Sequence, residues 1–210
     1  MCWGGIQVDI KPDQLPWQEA YKLVIGSILP RPIAFVSTVD EAGHANLAPF
    51  SFFTAISADP MLVCFSPMRR GTDGGKKDTL LNIEATKEFV INIVSGTFVE
   101  QMNDCAKEYA PEVDEFEAAG LGKKPSVTVA PPAVSESRVQ LECILQDVLH
   151  FGDHPGAGSL VIGKVQCVRL DDELYDAGRI DSSMLEPVGR MAGQTYTKPL
   201  ADTFELIRKR

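Results

Sequence analysis

From Arg31 to Ser66 the chain reads RPIAFVSTVDEAGHANLAPFSFFTAISADPMLVCFS, short runs of β-branched, aromatic and aliphatic residues cut by DEAG and ADP. No other stretch limits the fold as tightly. Runs of this length bounded by turn formers read as strands. Ile33 to Val39 is the first, and HANLAPFSFFTAIS supplies one or two more. MLVCFS is continuously apolar, which fits burial on both faces. NLAPFS is the puzzling part: a strand serving only a core has no use for a Pro and several small polar groups.

Downstream, PMRRGTDGGKK is loop by composition and leads into DTLLNIEATKEF, where Leu80, Leu81, Ile83 and Phe89 share helical spacing. Asp78 or Thr79 is the expected N-cap. FVINIVS reads as a strand, and TFVEQMNDCAKEY as a second helix with Phe98, Met102 and Cys105 or Ala106 on one side. The stretch PEVDEFEAAGLGKKPSVTVAPP is irregular apart from a short helical piece. RVQLECILQDVLHFG alternates as a strand but slips near Gln146; SLVIGKVQCVRL is a strand in which Gly163 marks a bulge or bend. Short strands with helices inserted rather than alternating predict a mainly β barrel or sandwich decorated by helices. No G-x-G-x-x-G follows the first strand, so a doubly wound nucleotide-binding sheet has no support.

Composition narrows the class. The 210 residues are 44% hydrophobic and 23% charged, as in a soluble globular protein. The net charge of −9 argues against nucleic acid as a partner. No run approaches the ~18 apolar residues of a membrane helix, and the N-terminus lacks the basic-then-apolar order of a secretory signal. The five cysteines are scattered, with no C-x-x-C. Reduced thiols and a cytoplasmic location are the expectation.

Two features carry chemistry. Ser37, Thr38, Asn46, Ser51, Thr54, Ser57 and Ser66 lie at or near strand ends, where hydroxyls can converge on a planar polar ligand or its phosphate. They can equally be turn formers. GTDGGKKDTLLNI sets glycines and two lysines before a helix start, the ingredients of an anion site, though without the order of a phosphate-binding G-K-[ST] loop. A solvated loop with an N-cap is the alternative. Near the end, EPVGRMAGQTY flanks Arg190 with Gly189 and Gly193 and follows with Tyr196. Such a loop could close over a flat ligand, reach a neighbouring subunit, or simply pack. His44, His150 and His154 form no evident metal set, and no G-x-S-x-G is present.

Taken in order, RPIAFVSTVDEAGHANLAPFSFFTAISADPMLVCFS, KKDTLLNIEATKEFVINIVS, SLVIGKV and EPVGRMAGQTY resemble the flavin reductase-like, FMN-binding split-barrel family, notably its flavoredoxins and monooxygenase reductase components. The resemblance implies a single domain over residues 1–210, with a leader at 1–20 and a C-terminal extension at 186–210. It implies a six-stranded Greek-key split β-barrel with peripheral helices, working as a homodimer with noncovalent FMN near the interface. Asn46, Leu47, Ala48, Pro49, Ser51 and Phe52 would run along the flavin ring, bordered by Ser37, Thr38 and Ser66. Lys77 and Thr79 match phosphate-binding positions, and Arg190 and Gly193 of the closing motif would also contact the cofactor. Arg31 is part of the match with either a ligand or a structural role. GDHP resembles a Gly-Asp-His found beside the nicotinamide in some members, which makes His154 the candidate catalytic residue.

The activity implied is hydride transfer from NADH or NADPH to FMN and on to an acceptor such as a flavin-dependent monooxygenase. The alternatives are a flavoredoxin-like electron carrier and an FMN-binding module without turnover.

Overall fold

The structure is a computed structural model that describes residues 7–207; Cys2 and the start of the leader lie outside the described residues. The main sheet is built from β1 (Ala34–Val39), β2 (Ala45–Phe50), β3 (Phe53–Ala58), β4 (Met61–Phe65), β5 (Glu88–Ile93), β6 (Val139–His150) and β7 (Ser159–Leu170). Their order is β2-β1-β5-β6-β7-β4-β3, and every pair is antiparallel. The edge strands β2 and β3 are separated in sequence only by Ser51 and Phe52. Three Cα steps hold Phe50 and Phe53 within about 11 Å, whereas the edges of a flat sheet of this width would stand about 29 Å apart. The sheet therefore curls until its edges nearly meet. The expected six strands are corrected to seven, and the hydrogen-bond ladder stays open between β2 and β3.

Curling creates an inside and an outside. Ala34 and Val36 of β1 face an inner core with Phe50, Phe65, Phe89 and Val161. Phe35, between them, faces an outer core with Phe98, Met102, Cys105, Phe116 and Val134. α2 (Asp78–Thr86) plugs the inner core with Leu80 and Ile83. Leu81 does not share that face, being 46% exposed, and Phe89 belongs to β5. The caps expected of Asp78 or Thr79 are not made; Lys77 occupies the cap position and no side chain caps the helix. α3 (Val99–Asp104) and α4 (Glu115–Ala119) cover the outer core, with Cys105 rather than Ala106 facing inward. In β4 Met61 is exposed and Leu62 half-buried, so burial is deep only from Val63 to Phe65.

The slip at Gln146 is a β-bulge. Leu145 pairs with Gly163 and Asp147 with Ile162, leaving Gln146 as the extra residue. Gly163 sits opposite because a Cβ there would collide with the Phe89 ring. The stretch read as a leader, residues 1–20, ends inside α1 (Trp17–Ser27). Within residues 186–210, Gly189-Arg190 pairs with Arg31-Pro32 on one side and Tyr196-Thr197 on the other, a small sheet separate from the main one. No helix of the described residues is long and apolar enough to cross a membrane.

Candidate functional site

A groove runs along the free edge of β2. Asn46, Ala48 and Phe50 lie opposite Thr38, Val36 and Ala34 of β1. The Leu47 N–H instead points away from β1 and donates to Glu115 Oε2 at 3.0 Å. Backbone groups alternate direction along a strand, so position 49 also faces outward, and there the residue is a proline with no N–H to leave unpaired. That explains the odd composition of NLAPFS: it is an edge strand whose outward donors are either occupied or absent. Ala48 and Pro49 then form a smooth wall of the groove, continued by Ser51, Phe52 and Ser66.

At one end stands the start of α2. Its first N–H groups have no side-chain cap. The neighbouring cations are spoken for: Lys76 pairs with Glu84 at 2.6 Å and Arg70 with Asp78 at 3.1 Å. The Lys77 ammonium forms no ion pair or hydrogen bond among the described residues, and lies 5.8 Å from the Phe50 ring. Burial pulls its pKa below the ordinary lysine value. A half-buried, unpaired ammonium beside uncapped helix N–H groups makes this end of the groove electropositive and rich in donors.

Behind this wall a polar network ties β1, β2, α2 and α4 together. Thr79 donates to Asn46 Oδ1 at 2.7 Å, Asn46 Nδ2 donates to Glu115 Oε1 at 2.6 Å, and Asn82 donates to Thr38 Oγ1 at 3.0 Å. Burial raises the Glu115 pKa, opposed by the bonds from Leu47 and Asn46. The carboxylate accepts from both, so it fixes the Asn46 amide and the β2 edge in one step.

The groove gathers Asn46, Ala48, Pro49, Ser51, Phe52, Ser66, Lys77 and Thr79 along its walls, and Arg190 lines an adjoining cavity that shares Pro49 and Ser51 with it. Leu47 contributes only backbone, its side chain lying in the outer core. Thr38 is fully buried in the network, and Ser37 points to the opposite face, donating to the Pro132 carbonyl at 2.6 Å. Arg190 stacks on Tyr196, 4.4 Å from the ring centroid, and donates to the Gly193 carbonyl at 2.5 Å. Gly193 has φ +60°, in the left-handed region. Arg31 is buried and donates to the carbonyls of Ile25, Ile28 and Met191, a clamp between the end of α1 and the closing loop. His154 is exposed in the 151–158 loop, which Arg69 ties to the glycine-rich loop through the carbonyls of Gly152 and Gly74, away from the groove walls. Sequence reasoning missed Glu115, whose partners Asn46 and Leu47 are far from it in the chain; its charge at a helix start gave no hint of a contact with β2.

The sequence matches the flavin reductase like domain over residues 25–185. It is 42% identical over 201 residues, covering 95% of both chains, to an uncharacterised protein of Halalkalibacterium halodurans. Among solved structures, nitrilotriacetate monooxygenase component B from Bacillus cereus is 36% identical, with TM-score 0.90, 97% of this chain covered and 100% of that one. The 2-nitrobenzoate 2-nitroreductase of Pseudomonas fluorescens is 30% identical, with TM-score 0.85 and 96% of each chain covered. With a domain match over most of its length and a relative 42% identical across nearly the whole chain, the chain belongs to the flavin reductase-like family of oxidoreductases.

Proposed function

We propose that the protein is an FMN-dependent reductase that takes hydride from NADH or NADPH and passes electrons to an acceptor outside this chain. The observation that carries the reading is Lys77: an unpaired, half-buried cation at an uncapped helix start, at the end of a groove walled by Ala48, Pro49 and Ser51. FMN fits this donor set, because its phosphate supplies the acceptor that Lys77 and the α2 N–H groups lack, and its flat ring needs a wall without bulky side chains.

When bound, FMN supplies the two-electron chemistry that no side chain here offers. Lys77 and the first turn of α2 would hold the phosphate, while Ala48, Pro49, Ser51 and Phe52 orient the ring. The outward carbonyls of Leu47 and Pro49 would accept from the ring's polar edge. Glu115, through Asn46 and the Leu47 N–H, keeps that edge and the helix start in register. The chain's contribution to rate is a held geometry that replaces a bimolecular encounter.

Likeness to a monooxygenase component supports an oxygenase as the acceptor. A homodimer is supported by the apolar hollow of about 440 Å³ beside the groove, lined by Val24, Ile28, Pro30, Phe52, Phe53 and Leu160, which a second copy would cover. Sedimentation at micromolar concentration checks this; a monomer there would remove the dimer.

Anaerobic stopped-flow mixing tests the activity: the yellow FMN-loaded protein should bleach with NADH or NADPH. Protein that binds FMN but bleaches with neither is an electron carrier or a flavin-storing module. Protein that stays colourless after incubation with FMN ends the flavin reading.

A further inference from the structure

We propose that Arg190 anchors a second anion subsite, which takes the phosphate or carboxylate of the ligand that exchanges electrons with the flavin. The inference rests on the FMN reading above and adds the chemical class of the second ligand.

The pairing of Arg190 is unusual. In the small sheet it lies directly across from Arg31. Like charges at facing positions of an antiparallel pair are destabilising, and no carboxylate among the described residues forms an ion pair with either guanidinium. Burial lowers the Arg31 pKa, and the charge of Arg190 lowers it further. Arg31 is accounted for structurally, since its guanidinium donates to three backbone carbonyls. Arg190 is not. Of its five N–H donors, one reaches the Gly193 carbonyl.

Arg190 is also held in place. Its guanidinium stacks on Tyr196, whose hydroxyl donates to Asn103 Oδ1 at 2.9 Å, beside α3 and the groove. A planar cation fixed on an aromatic face keeps its remaining donors free and oriented, the arrangement that suits bidentate oxyanion recognition. The cavity it lines, about 220 Å³, includes Asn103 and Tyr196 and shares Pro49 and Ser51 with the flavin groove. Lys77 is not among its walls. One phosphate on FMN, assigned to Lys77, leaves the Arg190 charge for another molecule. A nicotinamide dinucleotide would bring phosphates to it and an aromatic acid acceptor a carboxylate.

The test uses FMN-loaded protein, so that the Lys77 site is filled. Inorganic pyrophosphate, NADP⁺ and benzoate are titrated calorimetrically into wild type, Arg190→Gln and Tyr196→Leu, and FMN affinity is measured separately for each. We expect wild type to bind at least one probe. Arg190→Gln should weaken that probe about tenfold or more, the scale of a lost charge-assisted hydrogen bond, with FMN affinity within about twofold. Tyr196→Leu should show a smaller loss of the same kind. Preference for pyrophosphate and NADP⁺ identifies a phosphate-bearing donor, and preference for benzoate a carboxylate-bearing acceptor. Absence of binding by wild type overturns the proposal. So does unchanged probe affinity in Arg190→Gln, or an equal loss of FMN, which would make Arg190 part of the flavin site. Turnover is not needed, so a wild type that fails to bleach with NADH or NADPH would end the reductase reading without touching this result.

Discussion

Helices α2 and α4 both begin beside β2, yet one start is closed and the other open. Asp114 caps α4, accepting from the Phe116 N–H at 3.0 Å, and the helix then presents Glu115 to Asn46 and Leu47. α2 has Lys77 at the same position, with no side-chain acceptor for its N–H groups. Ser, Thr, Asp and Asn are the residues that cap, and lysine, which has no acceptor, cannot. The difference separates two jobs. α4 is finished within the protein and holds the strand; α2 is left incomplete, the start to which we assign the phosphate.

The sharpest way to break this contrast is Lys77→Ala with Thr79→Ala. FMN binding should weaken by about 2–4 kcal/mol, from lost charge-assisted hydrogen bonds with allowance for non-additivity. Because Thr79 gives its hydroxyl to Asn46, its share acts through the position of α2. Riboflavin, which lacks the phosphate, should lose much less in the same variant. Equal losses for both ligands would mean the damage is general and the open start is not the phosphate site.

Glu115→Gln attacks the closed side. Two donors, Asn46 Nδ2 and the Leu47 N–H, each face a different carboxylate oxygen, and glutamine replaces one of those oxygens with an NH2 group that cannot accept. One buried donor loses its partner, at a cost of about 1–3 kcal/mol in urea unfolding. The pH dependence should change as well. Burial raises the Glu115 pKa, so the folded state holds its proton more tightly than the unfolded chain. Stability from this group therefore falls as pH rises from the ordinary carboxylate range through the raised value. The glutamine variant should flatten that slope, and an unchanged slope would remove Glu115 as its source.

Lys77→Ser converts the open start into a closed one. It should raise the stability of the flavin-free protein by about 1 kcal/mol, the usual effect of an N-cap, while weakening FMN binding. Asp114→Ala should lower stability by a similar ~1 kcal/mol. Opposite signs for stability and binding at position 77 are the signature to look for; a serine variant that loses both would show Lys77 to be structural.

What could be read from the sequence follows the range of the interactions. Local patterns were legible: the bulge at Gln146 showed as a broken alternation, and the lysine-bearing helix start as glycines and lysines before DTLLNI. Features set by distant partners were not. Ser37 and Thr38 look alike in sequence, but neighbouring strand positions face opposite ways, so one hydroxyl serves the outer loop at Pro132 and the other the Asn82 network. Neither could be assigned to a face before the sheet order was known. The strand count was left open for a related reason: β2 and β3 are joined by two residues that turn the chain from one sheet edge to the other, so HANLAPFSFFTAIS reads as one strand or two, and the figure of six came with the resemblance. Glu115 was one acidic residue among many until α4 brought it to β2.

The smallest effect is the most direct reading of the contrast. Burial holds the Lys77 pKa down, so in the flavin-free fold this group releases its proton earlier than in the unfolded chain, and stability rises with pH between the lowered and the ordinary value. A bound phosphate stabilises the ammonium and pushes its pKa back up. FMN binding just below the ordinary lysine range should therefore take up a fraction of a proton per site. Calorimetric titrations in buffers of different ionisation enthalpy measure that uptake. It should vanish in Lys77→Ala and persist in Asp114→Ala, since only the open helix start carries the group that changes charge. Proton uptake that survives the loss of Lys77 would place the anion contact elsewhere.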